Sequence, residues 1–303
     1  MNIKAIGIAN KSSNGDILDV FYPNIEFGNK KINNKIKDIN SNDKEIIIEF
    51  TQEDLNRPIE NVQEAYLKLH LLSYRLVLPN SINLDGLFNC LPNVAWTNIG
   101  PIGIDDIDLK LQESKYGKNN IFIRSIDKFP CLTDYIIPKN VRIADASRVR
   151  LGAYLSEGTT IMHEGFVNFN AGTEGVAMIE GRISAGVLVG SGSDLGGSSS
   201  TMGTLSGGGT ELVSVGENCL IGANAGIGFP LADGCTIEAG LYVTAGMKIN
   251  RLDENGVLIE VVKAKDISSV KNLVFRRNSL SGNVECIPDA NSISLNEELH
   301  SHN

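Results

Sequence analysis

The sequence predicts a mainly β protein: a left-handed parallel β-helix, built as a hexapeptide-repeat solenoid, with an N-terminal α/β domain before it and a short β-rich tail after it. Two registers carry this prediction. Between residues 141 and 250 an aliphatic residue returns at every sixth position: Ile143, Val149, Leu155, Ile161 and Val167, then Ile183, Val189 and Leu195. The count resumes at Val215, Ile221 and Ile227 and, after a four-residue step, at Leu231, Ile237, Val243 and Ile249. Three places after these fifteen positions stand seven glycines (Gly152, Gly158, Gly186, Gly192, Gly234, Gly240, Gly246) and three asparagines (Asn170, Asn218, Asn224). A period of six matches neither the 3.6 of a helix nor the 2 of a half-buried strand. Gly and Asn are the residues that best tolerate a left-handed backbone. Each hexad therefore reads as a short strand plus a corner, and three hexads close a triangular coil with its aliphatic side chains stacked inward. Such a coil is an exception to the right-handed crossover between parallel strands.

The elements follow in chain order. Residues 1–137 form the α/β domain: strand-like runs occur at 3–9 and 45–50, and an amphipathic helix is predicted over 58–74 from Val62, Ala65, Tyr66 and Leu69 at helical spacing. Residues 138–250 form the solenoid. Two stretches break its count, 168–182 and 196–214, and are predicted to be loops forced out of the coil, the Gly/Ser-rich second one in contact with a ligand. Residues 251–303 form the tail, with a hairpin turn at Asn255-Gly256, another turn at Gly282-Asn283, and a polar, frayed end.

Composition narrows the function. With 303 residues, 42% of them hydrophobic, the chain can bury a sizeable core. A net charge of −9 and a pI near 5.0 argue against sequence-independent nucleic-acid binding, which needs a basic face. Five scattered cysteines, none in a C-x-x-C pair, indicate neither a disulfide framework nor a zinc knuckle, and read as thiols of a reducing compartment. The apolar run at the N-terminus is too short for a signal peptide, and no stretch approaches the roughly 18 apolar residues that span a bilayer. The expectation is a cytoplasmic protein with no membrane partner. The Gly-rich stretch contains neither G-x-x-x-x-G-K-[ST] nor a G-x-G-x-x-G between strand and helix, so a Walker or Rossmann phosphate cradle is not supported.

A solenoid of this kind hosts several functions, so the longer strings decide. VRIADASRVRLGAYLSEGTTIMHEGFVNFNAGTEGVAMIEGRISAGVLVGSGSDLGGSSSTMGTLSGGGTE, followed by IGANAGIG, EAGLYVTAG and LVFRRNSLSG, resembles the tetrahydrodipicolinate N-succinyltransferase family in its branch with a distinct N-terminal domain. The resemblance runs from about residue 138 to about residue 300; residues 1–100 add little. It implies an acyltransferase of diaminopimelate and lysine biosynthesis. Succinyl-CoA and tetrahydrodipicolinate, or its ring-opened amino-keto form, would give N-succinyl-2-amino-6-oxopimelate and CoA. It also implies a homotrimer with active sites between neighbouring solenoids, which agrees with flat prism faces packing in threes.

Residue by residue, Glu180 in MIEGRIS matches the family's catalytic glutamate. An amine attacking a thioester needs a carboxylate either to remove a proton or to accept the acyl group first, so both roles stay open. Arg182, Gly197, Ser200, Ala223, Glu238, Ala239, Gly246, Lys263 and the run Arg276, Arg277, Asn278, Ser279 match succinyl-CoA positions. Small residues there let a pantetheine arm approach backbone amides, while the cations can offset phosphates. Glu164 matches a glutamate that in some members holds a metal ion, which makes it a candidate magnesium ligand; the accompanying aspartate position is Ser147 here, which removes a hard oxygen anion. His163, the only histidine between 141 and 250, excludes a three-histidine zinc carbonic anhydrase. It leaves open an acetyltransferase with a histidine base. A non-catalytic scaffold would not explain the Gly-rich stretch or the Glu-Gly-Arg string.

Overall fold

The computed structural model describes residues 2–33, 45–117, 120–203 and 212–289. The chain forms two compact units, Met1–Pro130 and Cys131–Asn303. Among the described residues no helix is long and apolar enough to cross a membrane.

In the first unit β1 (Asn2–Lys11) pairs antiparallel with β2 (Ile17–Phe27) and β4 (Glu45–Thr51), and β3 (Lys30–Asn33) extends the sheet beyond β2. Alternation along β1 turns Ile3, Ala5, Gly7 and Ala9 inward. Gly7 is required there, because a Cβ would come 2.7 Å from both the Tyr22 ring and Val20. Helix α1 (Val62–Ser73) packs on β2. It begins later than its periodicity predicts because Asn61, still extended, accepts the Glu64 amide at 2.9 Å and caps it. Nor is it amphipathic: Glu64 through Ser73 are all buried. Its polar members are answered inside the core instead. The Lys68 ammonium donates to the carbonyls of Leu55, Arg57 and Asn83 at 3.3, 2.7 and 2.8 Å, and Glu64 pairs with Arg57 at 2.7 Å. After α2 (Leu87–Cys90), a second antiparallel sheet is built from β5 (Val94–Thr97), β6 (Gly100–Gly103) and β7 (Ile123–Asp127), with α3 (Ile104–Tyr116) between its last two strands.

The second unit is the left-handed solenoid, with three parallel sheets. The first face stacks Arg142–Ile143, Thr159–Ile161, Ala177–Ile179, Ser193–Leu195, Leu220–Ile221 and Thr236–Ile237. Phe166–Val167, Arg182–Ile183, Ser200–Thr201, Gly226–Gly228 and Tyr242–Thr244 make the second, and Ala153–Leu155, Ala171–Thr173, Leu188–Val189 and Ser214–Val215 the third. All fifteen aliphatic positions except the half-buried Ile143 are fully buried. The corner glycines and asparagines adopt positive φ, from 54° at Asn170 and Asn218 to 95° at Gly152. Gly246 is the exception and does not.

The first predicted interruption is no insertion. Ala171–Thr173 pairs between Ala153–Leu155 and Leu188–Val189, and Ala177–Ile179 between Thr159–Ile161 and Ser193–Leu195. The inward register passes through Thr173 and Ile179 and then takes a four-residue step to Ile183. Threonine has the branched shape of valine, and its buried hydroxyl is satisfied: Thr173 and Thr159 share a 2.6 Å hydrogen bond, and Thr159 reaches the Gly175 carbonyl at 3.1 Å. The second stretch also stays in the coil at first. Thr201 turns inward and donates to the Arg182 carbonyl at 3.1 Å, so only the residues after it are extra; of these 204–211 lie outside the described residues.

The tail adds two hairpins. Lys248–Leu252 and Leu258–Lys263 join through Asn255-Gly256, and Leu273–Arg277 and Val284–Pro288 through the turn at Gly282. Leu273–Arg277 runs parallel to Thr236–Ile237 and so prolongs the first face of the coil. The polar end beyond residue 289 lies outside the described residues.

Candidate functional site

One edge of the prism, where the chain turns from the first face to the second, gathers most of the predicted site. One coil apart along it stand left-handed corners at Ser198 (φ 58°), Asn224 (57°) and Gly240 (76°). The step from Ile179 to Ile183 leaves room for only Glu180, Gly181 and Arg182. This cut corner is pinned to the next coil, with the Glu180 amide on the Leu195 carbonyl and the Arg182 amide on the Ser199 carbonyl, both at 2.8 Å. A cleft of about 600 Å³ lies here, walled by Arg148, His163 and Glu164 on one side and by Gly181, Arg182 and Ser198–Ser200 on the other.

Next to the cleft, whose lining includes Glu164 and the Gly181 and Arg182 that follow Glu180, two carboxylates converge on a bare glycine. A Cβ on Gly197 would stand 3.6 Å from Glu164 Oε2 and 3.7 Å from Glu180 Oε2. The Ser198 hydroxyl donates to Glu164 Oε2 at 2.8 Å, and Arg182 donates to the Ser200 hydroxyl at 2.6 Å. Arg148 donates from Nε to the Gly165 carbonyl at 3.1 Å and from Nη2 to the Glu164 carbonyl at 2.8 Å. Ser199 is buried, and its Oγ has no hydrogen-bond partner among the described residues. Asp145 is held below the usual carboxylate range, first by the hydroxyl and amide of Ser147 and then, more weakly, by the charges of Arg148 and His163. The arrangement can take or carry a proton or an acyl group at a carboxylate, beside cations able to receive an anion.

The remaining predicted residues fall into two groups. From Glu180 the same edge climbs rung by rung: the Gly196 amide binds the Ile221 carbonyl, that of Gly222 the Ile237 carbonyl, and that of Glu238 the Phe275 carbonyl, at 2.8, 2.8 and 2.9 Å. Gly197, Ala223, Glu238, Ala239, Arg276 and Arg277 thus follow Glu180 in one file. The rungs are tight, since a Cβ on Gly222 would meet the Ala239 nitrogen at 2.5 Å. Glu238 accepts the Arg277 amide at 2.8 Å, while Arg276 and Asn278 are tied to the buried Glu285 at 3.4 and 2.9 Å. Ser279 follows them at the exposed turn. Gly246 and Lys263 form a second group at the edge after the second face, linked by backbone bonds from Ala264 to Met247 and from Lys265 to Ala245.

The donors of one chain do not by themselves make a magnesium site. Glu164 supplies one carboxylate, already accepting from Ser198, and the Ser147 hydroxyl is spent on Asp145 at 2.6 Å. Among the described residues no group of three His, Cys, Asp or Glu side chains could hold a metal, and a hard cation wants six or more oxygens. The five cysteines are free; burial pushes Cys219 and Cys286 up to about 11, which leaves them poor nucleophiles. Sequence reasoning missed Arg148 and Ser199. Ser198 did leave a signal, because it occupies a left-handed corner where glycine and asparagine stand elsewhere on the edge.

Comparison with known proteins identifies the family. The family model described as hexapeptide repeat of succinyl-transferase matches residues 212–245, and the one described as tetrahydrodipicolinate N-succinyltransferase middle matches residues 91–130. The second match falls in the first unit, where the resemblance of strings was weakest. The chain is 63% identical over 241 residues to the 2,3,4,5-tetrahydropyridine-2,6-dicarboxylate N-succinyltransferase of Pseudomonas aeruginosa, spanning 79% of this chain and 70% of that one. To the protein of the same name from Vibrio cholerae it is 53% identical over 244 residues, spanning 80% and 71%. A crystal structure from Campylobacter jejuni, described as a 2,3,4,5-tetrahydropyridine-2-carboxylate N-succinyltransferase, superposes with a TM-score of 0.84 at 29% identity, covering 96% of this chain and 93% of that one. With a coil, a carboxylate corner and relatives that agree, this chain belongs to the 2,3,4,5-tetrahydropyridine-2,6-dicarboxylate N-succinyltransferase family.

Proposed function

We propose that the chain transfers the succinyl group of succinyl-CoA to the amino group of ring-opened tetrahydrodipicolinate, on the route to diaminopimelate and lysine. The observation that carries the reading is the cut corner, where Glu180 shares bare Gly197 with Glu164, next to a cleft that Glu164 and two guanidinium groups line. The amine nitrogen forms a bond to the thioester carbonyl carbon, the C–S bond breaks, and the amine proton leaves to a carboxylate while the CoA thiolate departs. Glu180 takes that proton or, in the nucleophilic variant, first takes the acyl group as an anhydride.

The file from Gly197 through Ala223 to Ala239 offers small residues and backbone to the pantetheine arm, with Arg182 and Ser200 at its reactive end and Arg277 at the far end for phosphate. Gly246, Lys263, Arg276, Asn278 and Ser279 complete the CoA contacts in this reading, although Arg276 and Asn278 must share themselves with Glu285. In this reading the protein works in the cytoplasm as a homotrimer, and the three flat sheets of the prism are what favours packing in threes. No step passes through magnesium. A second reading has an acetyl donor and His163 as base, favoured by one fact: His163 lines the same cleft.

Glu180→Gln keeps the size and removes both chemical options. Turnover should fall by at least about 100-fold, the lower range for losing a general base, with CoA affinity little changed. Steady-state kinetics and a binding titration on the variant check this. Near-normal turnover would take Glu180 out of the mechanism, and activity lost in His163→Ala but kept in Glu180→Gln would hand the role to the histidine.

A further inference from the structure

We propose that Arg148 determines specificity by binding a substrate carboxylate in the cleft beside Glu180; the inference rests on the succinyl-transfer reading above. Arg148 is half-buried in the cleft wall. Its guanidinium is held by the Gly165 and Glu164 carbonyls at 3.1 and 2.8 Å, neutral acceptors that orient the fork without forming an ion pair. Arg57, Arg251 and Arg276 are ion-paired, with Glu64 at 2.7 Å, Glu260 at 2.9 Å and Glu285 at 3.4 Å, whereas Arg182 in the same cleft donates to the Ser200 hydroxyl. Arg148 makes no ion pair among the described residues. Asp145 feels its charge, but Asp145 Oδ1 already accepts from the hydroxyl and amide of Ser147. Glu164, the carboxylate of the same wall, is turned toward Gly197 and engaged by Ser198.

A second observation points to an anion. Ser199, only 2% exposed, lines the same cleft over Gly181 with its hydroxyl unpartnered. A buried donor without an acceptor is unfavourable until something supplies one. A fixed guanidinium fork and an orphan hydroxyl in one cleft, which Arg182 also lines, have the chemistry of carboxylate recognition. Two carboxylates of this kind come to the site, the distal one of the succinyl chain and those of the acceptor.

The test compares wild type with Arg148→Met, Arg148→Lys and Ser199→Ala in the full chain. Donors are succinyl-CoA and butyryl-CoA, which has the same four-carbon acyl chain without the carboxylate; the acceptor is varied separately. For the succinyl carboxylate, the succinyl-over-butyryl ratio of kcat/KM should fall at least about 10-fold in Arg148→Met, and less in Arg148→Lys and Ser199→Ala. For the acceptor carboxylate, that ratio should hold while kcat/KM for the acceptor falls by a similar factor. Values within about twofold of wild type on both measures overturn the proposal, as does an equal loss with both donors and no change in acceptor KM, the mark of a merely structural arginine. Wild type that does not use succinyl-CoA at all would instead sink the succinyl-transfer reading, before any variant is compared.

Discussion

The two units bury polarity in opposite ways. In the first, a single helix carries Glu64, Lys68 and His70 into the core; burial pushes Lys68 down to about 8 and His70 down to about 4. Each has its partner: Lys68 three carbonyls, Glu64 an arginine, and His70 the Tyr66 carbonyl at 2.7 Å. In the coil of the second unit the buried interior is aliphatic, relieved only by hydroxyl groups such as Thr159, Thr173, Ser193 and Thr201. At one edge, where the period is broken, Arg148, Glu164 and Arg182 share a cleft. Strongly shifted pKa values are a common sign of a functional site. Here they mark a packed core, and the site is marked by a missing pair of residues in a repeat.

The largest effect that would break this contrast is at the cut corner. Gly181→Ala places a methyl group against Ser199, whose Oγ and carbonyl stand over it, and should displace Glu180 enough to lower turnover about 100-fold. Trp96, the single tryptophan, lies in the first unit, so the urea midpoint read by its fluorescence should not move. Near-normal turnover would show that the short corner is incidental to the chemistry.

Next comes the buried histidine. As pH falls, the unfolded chain protonates His70 near its ordinary 6.5, whereas the folded chain resists until about 4. Its contribution is therefore complete above 6.5 and is lost on the way down to 4, about 2 kcal/mol of it by pH 5. Trp96-detected unfolding of wild type and His70→Gln at pH 5 and 7 measures the difference; equal pH slopes would mean that His70 is not the group responsible.

The smallest effect belongs to the coil interior. Thr173→Val keeps the branched shape and removes a hydroxyl whose partner Thr159 retains the Gly175 carbonyl but which also accepts the Ser156 amide at 3.3 Å, so stability should fall by about 1 kcal/mol and turnover hardly at all. A loss of several kcal/mol in calorimetry would show that the polar contact, not the shape, holds the register.

Much of this was legible in the chain. A corner that demands positive φ selects Gly or Asn by local sterics, and an inward strand position selects a branched aliphatic, so Gly192 or Val189 declares its place without its neighbours. The hairpin at Asn255-Gly256 is local in the same way, and Glu180 came forward through the string around it. Thr173 and Ile179 hid a whole coil because a threonine at the inward position interrupts an aliphatic count, although its hydroxyl is answered one coil away. The buried sides of α1 hid because Lys68 finds its carbonyls eleven to fifteen residues distant.

By itself, then, the sequence determined the period, the corners and the turns, which depend on the backbone freedom of single residues. Only the tertiary structure decided which side chains share the cleft. Arg148 and Glu164, Arg182 and Ser200, Glu164 and Ser198 meet across 16, 18 and 34 residues of chain. Which residue of one coil stands over which residue of the next depends on the accumulated count of six- and four-residue steps, and the step shortened at Glu180 is what brings these groups around a single space.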